Sequence, residues 1–334
     1  MTVKKKKVHI LHTGGTVGMD LDGVPLDSTR YLEVLGRSVP QAFELAEISV
    51  EILFSKDSSN MTPADWVVLA RALNEQMNQY DAFIVTHGTD TMAFTASALS
   101  FMMVHLPKPI VLTGSQRPLA DVRSDAPRNL LNAIQIGVEQ VAKEVGLFFD
   151  ATLIRGNRAK KLSIPSFRAF DSPNLPPLAT IGVSTDYTVK APVPAGPYTF
   201  DPRIETRIAA ITLFPGFDAE LFYSLIDKGI KGLVLQAFGP GDIPVGRHSV
   251  VNLIRSMTER GIPTVVCSQA VYGTVDLNLY ETGRAARDAG AISAHDMTWE
   301  SAMAKMMVLL GRGLTIEPFR REFLRNMAGE LSLP

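Results

Sequence analysis

Four short apolar runs, residues 8–11, 48–54, 81–85 and 109–113, each stop abruptly in a cluster of hydroxyls, amides or glycine. Segments of helical spacing lie between them: one with Tyr31, Leu32 and Leu35, one from Thr62-Pro63 through Met77, and one from Asp90 up to His105. Proline suits a helix start because the N–H it lacks has no intrahelical partner there anyway. Strands alternating with helices of roughly 12–16 residues dictate βαβ units, and these build a parallel sheet. The rhythm continues through a helix capped by Ser124-Asp125-Ala126-Pro127 and reaching about Lys143. An apolar stretch over residues 145–154 follows, read as one long strand or a pair. Ligands bind such sheets at the carboxyl ends of the strands, so the polar strand ends are where chemistry is expected.

The texture changes over residues 163–207, where Pro165, Pro173, Pro176, Pro177, Pro192, Pro194, Pro197 and Pro202 interrupt any helix. So long a stretch without helices reads as a connection carrying a few strands. Beyond it the alternation resumes, with strands over 208–214, 232–238 and 264–267 and helices starting near Asp218, Ser249 and Trp299. The expected fold is therefore α/β in two domains. Residues 1–162 form a larger N-terminal domain with a doubly wound, mostly parallel sheet, 163–207 connect, and 208–334 form a smaller C-terminal α/β domain. A chain of 334 residues suits that division.

Composition narrows the function classes. A formal net charge of −1 favours neither nucleic acid nor a membrane surface as partner. The single cysteine, Cys267, sits in an apolar run, which excludes an intramolecular disulfide framework and fits the reducing cytoplasm. Lys4 to Lys7 are followed by an apolar run too short for a signal peptide and broken by His9, so they read as a solvated, partly disordered lead. No stretch has the length of a transmembrane helix.

The densest polar strand end is Ile84-Val85-Thr86-His87-Gly88-Thr89-Asp90-Thr91-Met92. A capped βα turn accounts for it, with Thr or Asp as N-cap and Gly88 relieving backbone strain. So does a site. Upstream, Thr13-Gly14-Gly15-Thr16-Val17-Gly18 lacks the G-x-G-x-x-G spacing, and no Walker Gly-Lys-Ser/Thr accompanies it, which argues against nucleotide binding. His9, His12, His87, His105, His248 and His295 show no zinc-like spacing, so neither a metal nor a cofactor is expected. Hydroxyl chemistry remains, and a threonine needs a base to take its proton. Lys161, in the basic run Arg155, Arg158, Lys160, Lys161, is one candidate: mutual repulsion would favour its neutral form, and Asp90 would orient it while opposing that effect. On composition alone the same run reads as a solvated basic loop.

Taken together, Thr13-Gly14-Gly15-Thr16, Asp57-Ser58-Ser59-Asn60-Met61-Thr62, His87-Gly88-Thr89-Asp90-Thr91-Met92, Thr113-Gly114-Ser115-Gln116 and Arg155-Gly156-Asn157-Arg158 resemble the bacterial-type L-asparaginases. Ser172-Pro173-Asn174-Leu175-Pro176-Pro177 and Asp296-Met297-Thr298 point to the cytoplasmic type I branch, and the resemblance runs in order over essentially the whole chain. It implies that Thr16 attacks the side-chain amide of L-asparagine, giving a threonine-bound β-aspartyl acyl-enzyme and ammonia before water releases L-aspartate. Thr89, Lys161 and Asp90 match the family's proton-transferring triad. Ser58 and Asp90 match the positions that hold the substrate's α-carboxylate and α-amine, with Ser59 an adjacent binding position and Thr89 beside them. A homodimer or homotetramer is implied as well.

The chain departs from the family pattern in several places. Gly23-Val24-Pro25-Leu26 stands where many members carry a flap tyrosine, and Met306-Met307-Val308 where some relatives supply one from a C-terminal helix; Tyr31 is the nearest other candidate. Lys160 stands for a frequent threonine, Ala270 for a cysteine, and Asp242 for an asparagine. Two other readings stay in view. One is a tRNA-dependent amidotransferase subunit, whose family carries an extra N-terminal domain. The other is an amino-acid sensor that kept the pocket without turnover.

Overall fold

The computed structural model describes residues 4–20, 22–188, 195–246 and 249–332, so Pro192, Pro194 and His248 lie outside the described residues. The chain divides into two compact units, Met1–Pro202 and Arg203–Pro334.

The first unit is built on β1 (Lys6–Gly14), β2 (Ala46–Lys56), β3 (Ala82–Thr86), β4 (Ile110–Thr113), β5 (Val145–Phe149), β6 (Thr152–Arg155), β7 (Ala179–Ile181) and β8 (Thr185–Tyr187). They form one sheet in the order β8-β7-β6-β5-β4-β3-β1-β2. The β2-β1-β3-β4-β5 portion is parallel, while β6, β7 and β8 add on antiparallel. The apolar stretch at 145–154 is thus a hairpin, with Asp150 in the turn at φ 58°. Lys6 and Lys7 already pair with β2, so the lysine lead enters the sheet instead of fraying ahead of it.

Helices α1 (Ser28–Ser38), α2 (Pro63–Gln76), α3 (Met92–Met102) and α4 (Ala126–Glu139) link the strands. Thr62 and Asp65 form a capping box at the start of α2, in which the Asp65 carboxylate accepts from the Thr62 N–H at 2.9 Å just ahead of Pro63. On one face of the sheet Val8, Ile10, Ala82, Ile84 and Val111 pack with Tyr31 and Leu35 of α1 and Leu130 and Ile134 of α4. Two helices stop earlier than their spacing suggests. Helix α4 ends where Gln140 turns left-handed, and α3 ends where Met103–Val104 pairs as a short strand with Thr199–Phe200.

That pairing also corrects the reading of 163–207 as a separate connection. Phe170–Asp171 pairs with Lys160–Lys161, β7 and β8 extend the main sheet, and the boundary between the units falls after Pro202. Prolines forbid a helix but tolerate short edge strands, where a missing N–H leaves no ladder bond unmade.

The second unit is smaller, with β9 (Ile208–Thr212), β10 (Gly232–Ala237), β11 (Thr264–Ser268) and β12 (Ile292–Ser293) all parallel in that order. Its helices include α5 (Val250–Glu259), α6 (Glu281–Asp288), α7 (Trp299–Gly311) and α8 (Ile316–Leu324). Cys267 is buried in β11. Among the described residues no helix is long and apolar enough to cross a membrane.

The register of the large sheet decides where its turns emerge. His12, Thr86 and Thr113 lie side by side across β1, β3 and β4. The chain leaves β1 for β2 on one side and later returns for β3 on the other. This reversal between β1 and β3 is the switch point at which open α/β sheets bind ligands.

Candidate active site

Glycines bring three turns together at that point. Gly14 and Gly15 have φ of 118° and 82°, which L side chains rarely adopt. A Cβ on Gly14 would collide with the Lys56 carbonyl, and one on Gly15 would lie 2.5 Å from the Gly88 Cα. A Cβ on Gly88 would lie 2.7 Å from the Ser58 Oγ. The turns after β1, β2 and β3 therefore touch through their backbones. Gly88 is absent from the left-handed region, so it permits close approach and does not relieve strain.

Polar side chains then cross between the turns. Lys161 Nζ donates to Thr89 Oγ1 at 2.8 Å and to Asp90 Oδ1 at 2.6 Å. The Asp90 N–H donates to Ser58 Oγ at 3.3 Å, and Thr91 Oγ1 donates to the Ser58 carbonyl at 2.7 Å. Thr91 is the N-cap of α3, yet its hydroxyl makes no capping bond. The polar residues of this turn are thus aimed at Ser58 and Lys161, not at the helix they precede. The Asp90 side chain is 66% exposed and that of Lys161 only 18%, so the lysine is seated while the carboxylate faces solvent.

Thr16 opens the short turn Thr16–Gly18 and is half-buried. Its hydroxyl makes no hydrogen bond with the described residues. Gly15 against Gly88 joins its turn to that of Thr89 and Asp90. Ser59 is turned elsewhere: its N–H and hydroxyl both donate to Asp57 Oδ1, at 2.8 and 2.7 Å, and hold that carboxyl below the usual range. The structure therefore links Ser58, Thr89, Asp90 and Lys161 by hydrogen bonds and brings the Thr16 turn against them. It does not bond Ser59 to any of them.

The basic run is no solvated loop. Arg155 and Arg158 are buried, and Arg155 Nε donates to Glu144 Oε2 at 2.6 Å. Its charge is balanced there, so the expected mutual repulsion among these cations loses one main contributor. Gln116 donates to the Ile164 and Ser166 carbonyls, both at 3.1 Å, and tethers the loop after Lys161. The sequence marked Gln116 only as a strand-end amide and gave no sign of that reach.

The floor of the site is polar but uncharged. His87 bonds the Gly88 carbonyl through Nδ1 at 2.7 Å and Thr95 Oγ1 through Nε2 at 2.9 Å. Burial pushes the pKa of both His12 and His87 down to about 4, so both imidazoles are neutral near pH 7. Tyr31 is fully buried, and burial pushes its phenol well above the ordinary value. It is a core residue and no substitute for a flap tyrosine. In the loop after Met19, Asp20 Oδ1 accepts from the Asp22 and Val24 N–H groups, and Val24 is exposed. Among the described residues no three His, Cys, Asp or Glu side chains gather as a metal site.

Residues 7–193 match the family model described as Asparaginase, N-terminal, and residues 207–323 match the Glutaminase/Asparaginase C-terminal domain. The chain is 37% identical over 341 residues to L-asparaginase 1 of Escherichia coli (strain K12), covering 99% of each. It is 34% identical over 342 residues to a glutamyl-tRNA(Gln) amidotransferase subunit of Pyrococcus abyssi, covering 98% of this chain and 77% of that protein. The crystal structure of L-asparaginase I from Vibrio cholerae superimposes with a TM-score of 0.90 at 37% identity, over 98% of this chain and 100% of that one.

Proposed function

The chain belongs to the asparaginase family, and on that premise we propose that it is an L-asparaginase that works through a β-aspartyl ester on Thr16. The observation that carries this reading is the Thr89–Lys161–Asp90 cluster, bonded side chain to side chain and set against the Thr16 turn at the β1/β3 switch point.

In this scheme Thr16 Oγ attacks the side-chain amide carbon of L-asparagine. Its proton passes by way of Thr89 and Lys161 to the leaving nitrogen, which departs as ammonia. Water then attacks the ester, adding its oxygen to the acyl carbon and giving one proton to the Thr16 oxygen as L-aspartate leaves. One amide and one water are consumed. Asp90 has one oxygen on Lys161, which leaves the other for the substrate's α-ammonium. The Ser58 hydroxyl takes the α-carboxylate, with Ser59 beside it. Backbone N–H groups near Thr89 stabilise the oxyanion, and preorganised donors of that kind supply much of such a rate enhancement. The scheme invokes neither a metal nor a cofactor.

The test is ammonia release from millimolar L-asparagine, with acid-quenched enzyme digested to find an aspartyl adduct on the Thr16 peptide. Thr16→Ala is expected to lower turnover by at least about 10⁴-fold at an unchanged melting temperature. No ammonia would remove the activity; an adduct on another residue, or an active Thr16→Ala, would remove the nucleophile. The likeness to an amidotransferase subunit supports a second reading, amide hydrolysis in the service of a partner protein. Full turnover by the chain alone counts against it. A homodimer or homotetramer belongs to the proposal, since Leu162, Ile164 and Phe167, just beyond Lys161, expose apolar surface for a second copy. A monomer by light scattering would remove that part. The cytoplasmic setting is what the type I resemblance implies and the single cysteine fits, and cell fractionation tests it.

A further inference from the structure

Two of the three glycines around Thr16 press on neighbouring turns. The third, Gly18, closes the Thr16 turn, and a Cβ there would overlap the Nε2 and Cε1 atoms of His12. His12 is fully buried near the end of β1, where its Nδ1 shares a 2.8 Å hydrogen bond with Thr86 Oγ1, its register partner on β3. Its ring is tilted against Tyr31 with centroids 5.3 Å apart. The Tyr31 hydroxyl faces Thr86 without completing a hydrogen bond, and His12 Nε2 has no hydrogen-bond partner among the described residues. The imidazole is thus held at one edge by Thr86 and packed obliquely against Tyr31. Its remaining edge is the surface on which Gly18 rests.

We propose that His12 is a positioning residue for the nucleophile: its ring, oriented by Thr86 and Tyr31, is the floor that sets the height of the Thr16–Gly18 turn. The inference rests on the reading of Thr16 as nucleophile. A backbone in direct contact with a close-packed ring cannot sink or rise without leaving a void or a clash. The position of the Thr16 hydroxyl relative to the scissile carbonyl is set by that contact, and a misplacement of about 1 Å is enough to cost about 10²-fold in rate. Only glycine at position 18 fits above a ring at position 12. Tyr31 takes part at one remove, by bracing the ring, and touches no reacting atom.

The experiment is a size swap across the contact in the full-length protein, read as kcat and KM for ammonia release alongside the thermal melt. Gly18→Ala is expected to lower kcat about 10²-fold while KM stays within about threefold. Adding His12→Ala to Gly18→Ala opens the space, and kcat is expected to recover at least about tenfold over the single variant. Should Gly18→Ala not fold, His12→Phe replaces it. Phe keeps an aromatic ring but is larger than imidazole and loses the bond to Thr86, so it crowds Gly18 from a ring no longer held by Thr86, and is expected to lower kcat about tenfold at unchanged KM. Wild-type kcat in Gly18→Ala or His12→Phe overturns the proposal. So does a double variant that regains the melting temperature but not kcat, the mark of a merely structural contact. Full turnover by Thr16→Ala is a different failure: it removes the nucleophile, while the coupling between positions 12 and 18 stays measurable in the melt.

Discussion

Both sheets end their parallel strands in polar, glycine-bearing turns, and the two edges use those residues differently. At the smaller sheet Ser268 and Gln269 close on nearby backbone, and the side chain to side chain bonds, Thr212 to Gln236 and Thr282 to Asp242, involve no cation. Ser268 Oγ donates to the Gly239 carbonyl at 2.7 Å, and Gln269 Nε2 donates to the Leu213 and Gln236 carbonyls at 2.6 and 3.0 Å. Asp242 accepts from the Thr282 hydroxyl. At the larger sheet the bonds of Lys161 run from side chain to side chain between separate turns, join a cation to a carboxylate, and lie beside a turn whose threonine hydroxyl bonds none of the described residues. Side chain to backbone bonds are the ordinary way of satisfying a polar turn, and side chain to side chain bonds are the minority. A hydroxyl-rich strand edge is therefore not in itself a site. A cation and a carboxylate bonded between turns, as Lys161 and Asp90 are, single out the larger edge as the candidate.

The sharpest break of this comparison is Lys161→Met. Removing the group shared by Thr89 and Asp90 should lower kcat by about 10²- to 10⁴-fold and nearly abolish the pre-steady-state ammonia burst. An intact burst would show that the cluster does not serve the first step.

The neutral histidines under the larger edge give the next effect. Each titrates near 4 in the fold against an ordinary value of 6.5, so between those pH values the unfolded chain binds more protons. Stability is then full above about pH 6.5 and falls as pH drops toward 4, by up to about 3 kcal/mol per histidine. Urea midpoints at pH 7 and pH 4.5 should separate the wild type from His12→Phe, whose acid loss is smaller. Equal slopes would contradict the burial argument.

Thr91→Val removes the bond to the Ser58 carbonyl and should cost about 1 kcal/mol, with a rise in KM that a purely capping threonine would not cause. The smallest effect is expected at the other edge. Ser268→Ala should cost at most about 1 kcal/mol and leave kcat within about twofold, and a loss as large as that of Lys161→Met would erase the distinction between the two sheets.

Much of this was legible in the chain. The alternation of apolar runs and helical spacing is a local property, so the α/β class and most strands could be read from residue order. Thr16, Ser58, Thr89, Asp90 and Lys161 each stand after a strand end, and their residue types announce hydroxyl, carboxylate and amine chemistry. A few strands were expected in 163–207, but not that they would pair antiparallel with the larger unit, because pairing partners are not written in a short proline-flanked run. Helix α6 was missed as well, since Glu281–Asp288 is mostly polar and offers little apolar periodicity.

What the sequence determined alone was the inventory: which side chains exist and at which strand ends they emerge. Only the tertiary structure decided who meets whom. Gly88 proved to be a point of close approach to Ser58, the hydroxyl of Thr91 turned away from its own helix, and Arg155 found Glu144. Tyr31 was drawn into the core, and His12 became the surface beneath Gly18. The reason is physical. Residue types and spacing follow the covalent chain, but contacts between turns depend on sheet order and register, which place His12, Thr86 and Thr113 side by side although they lie far apart in sequence.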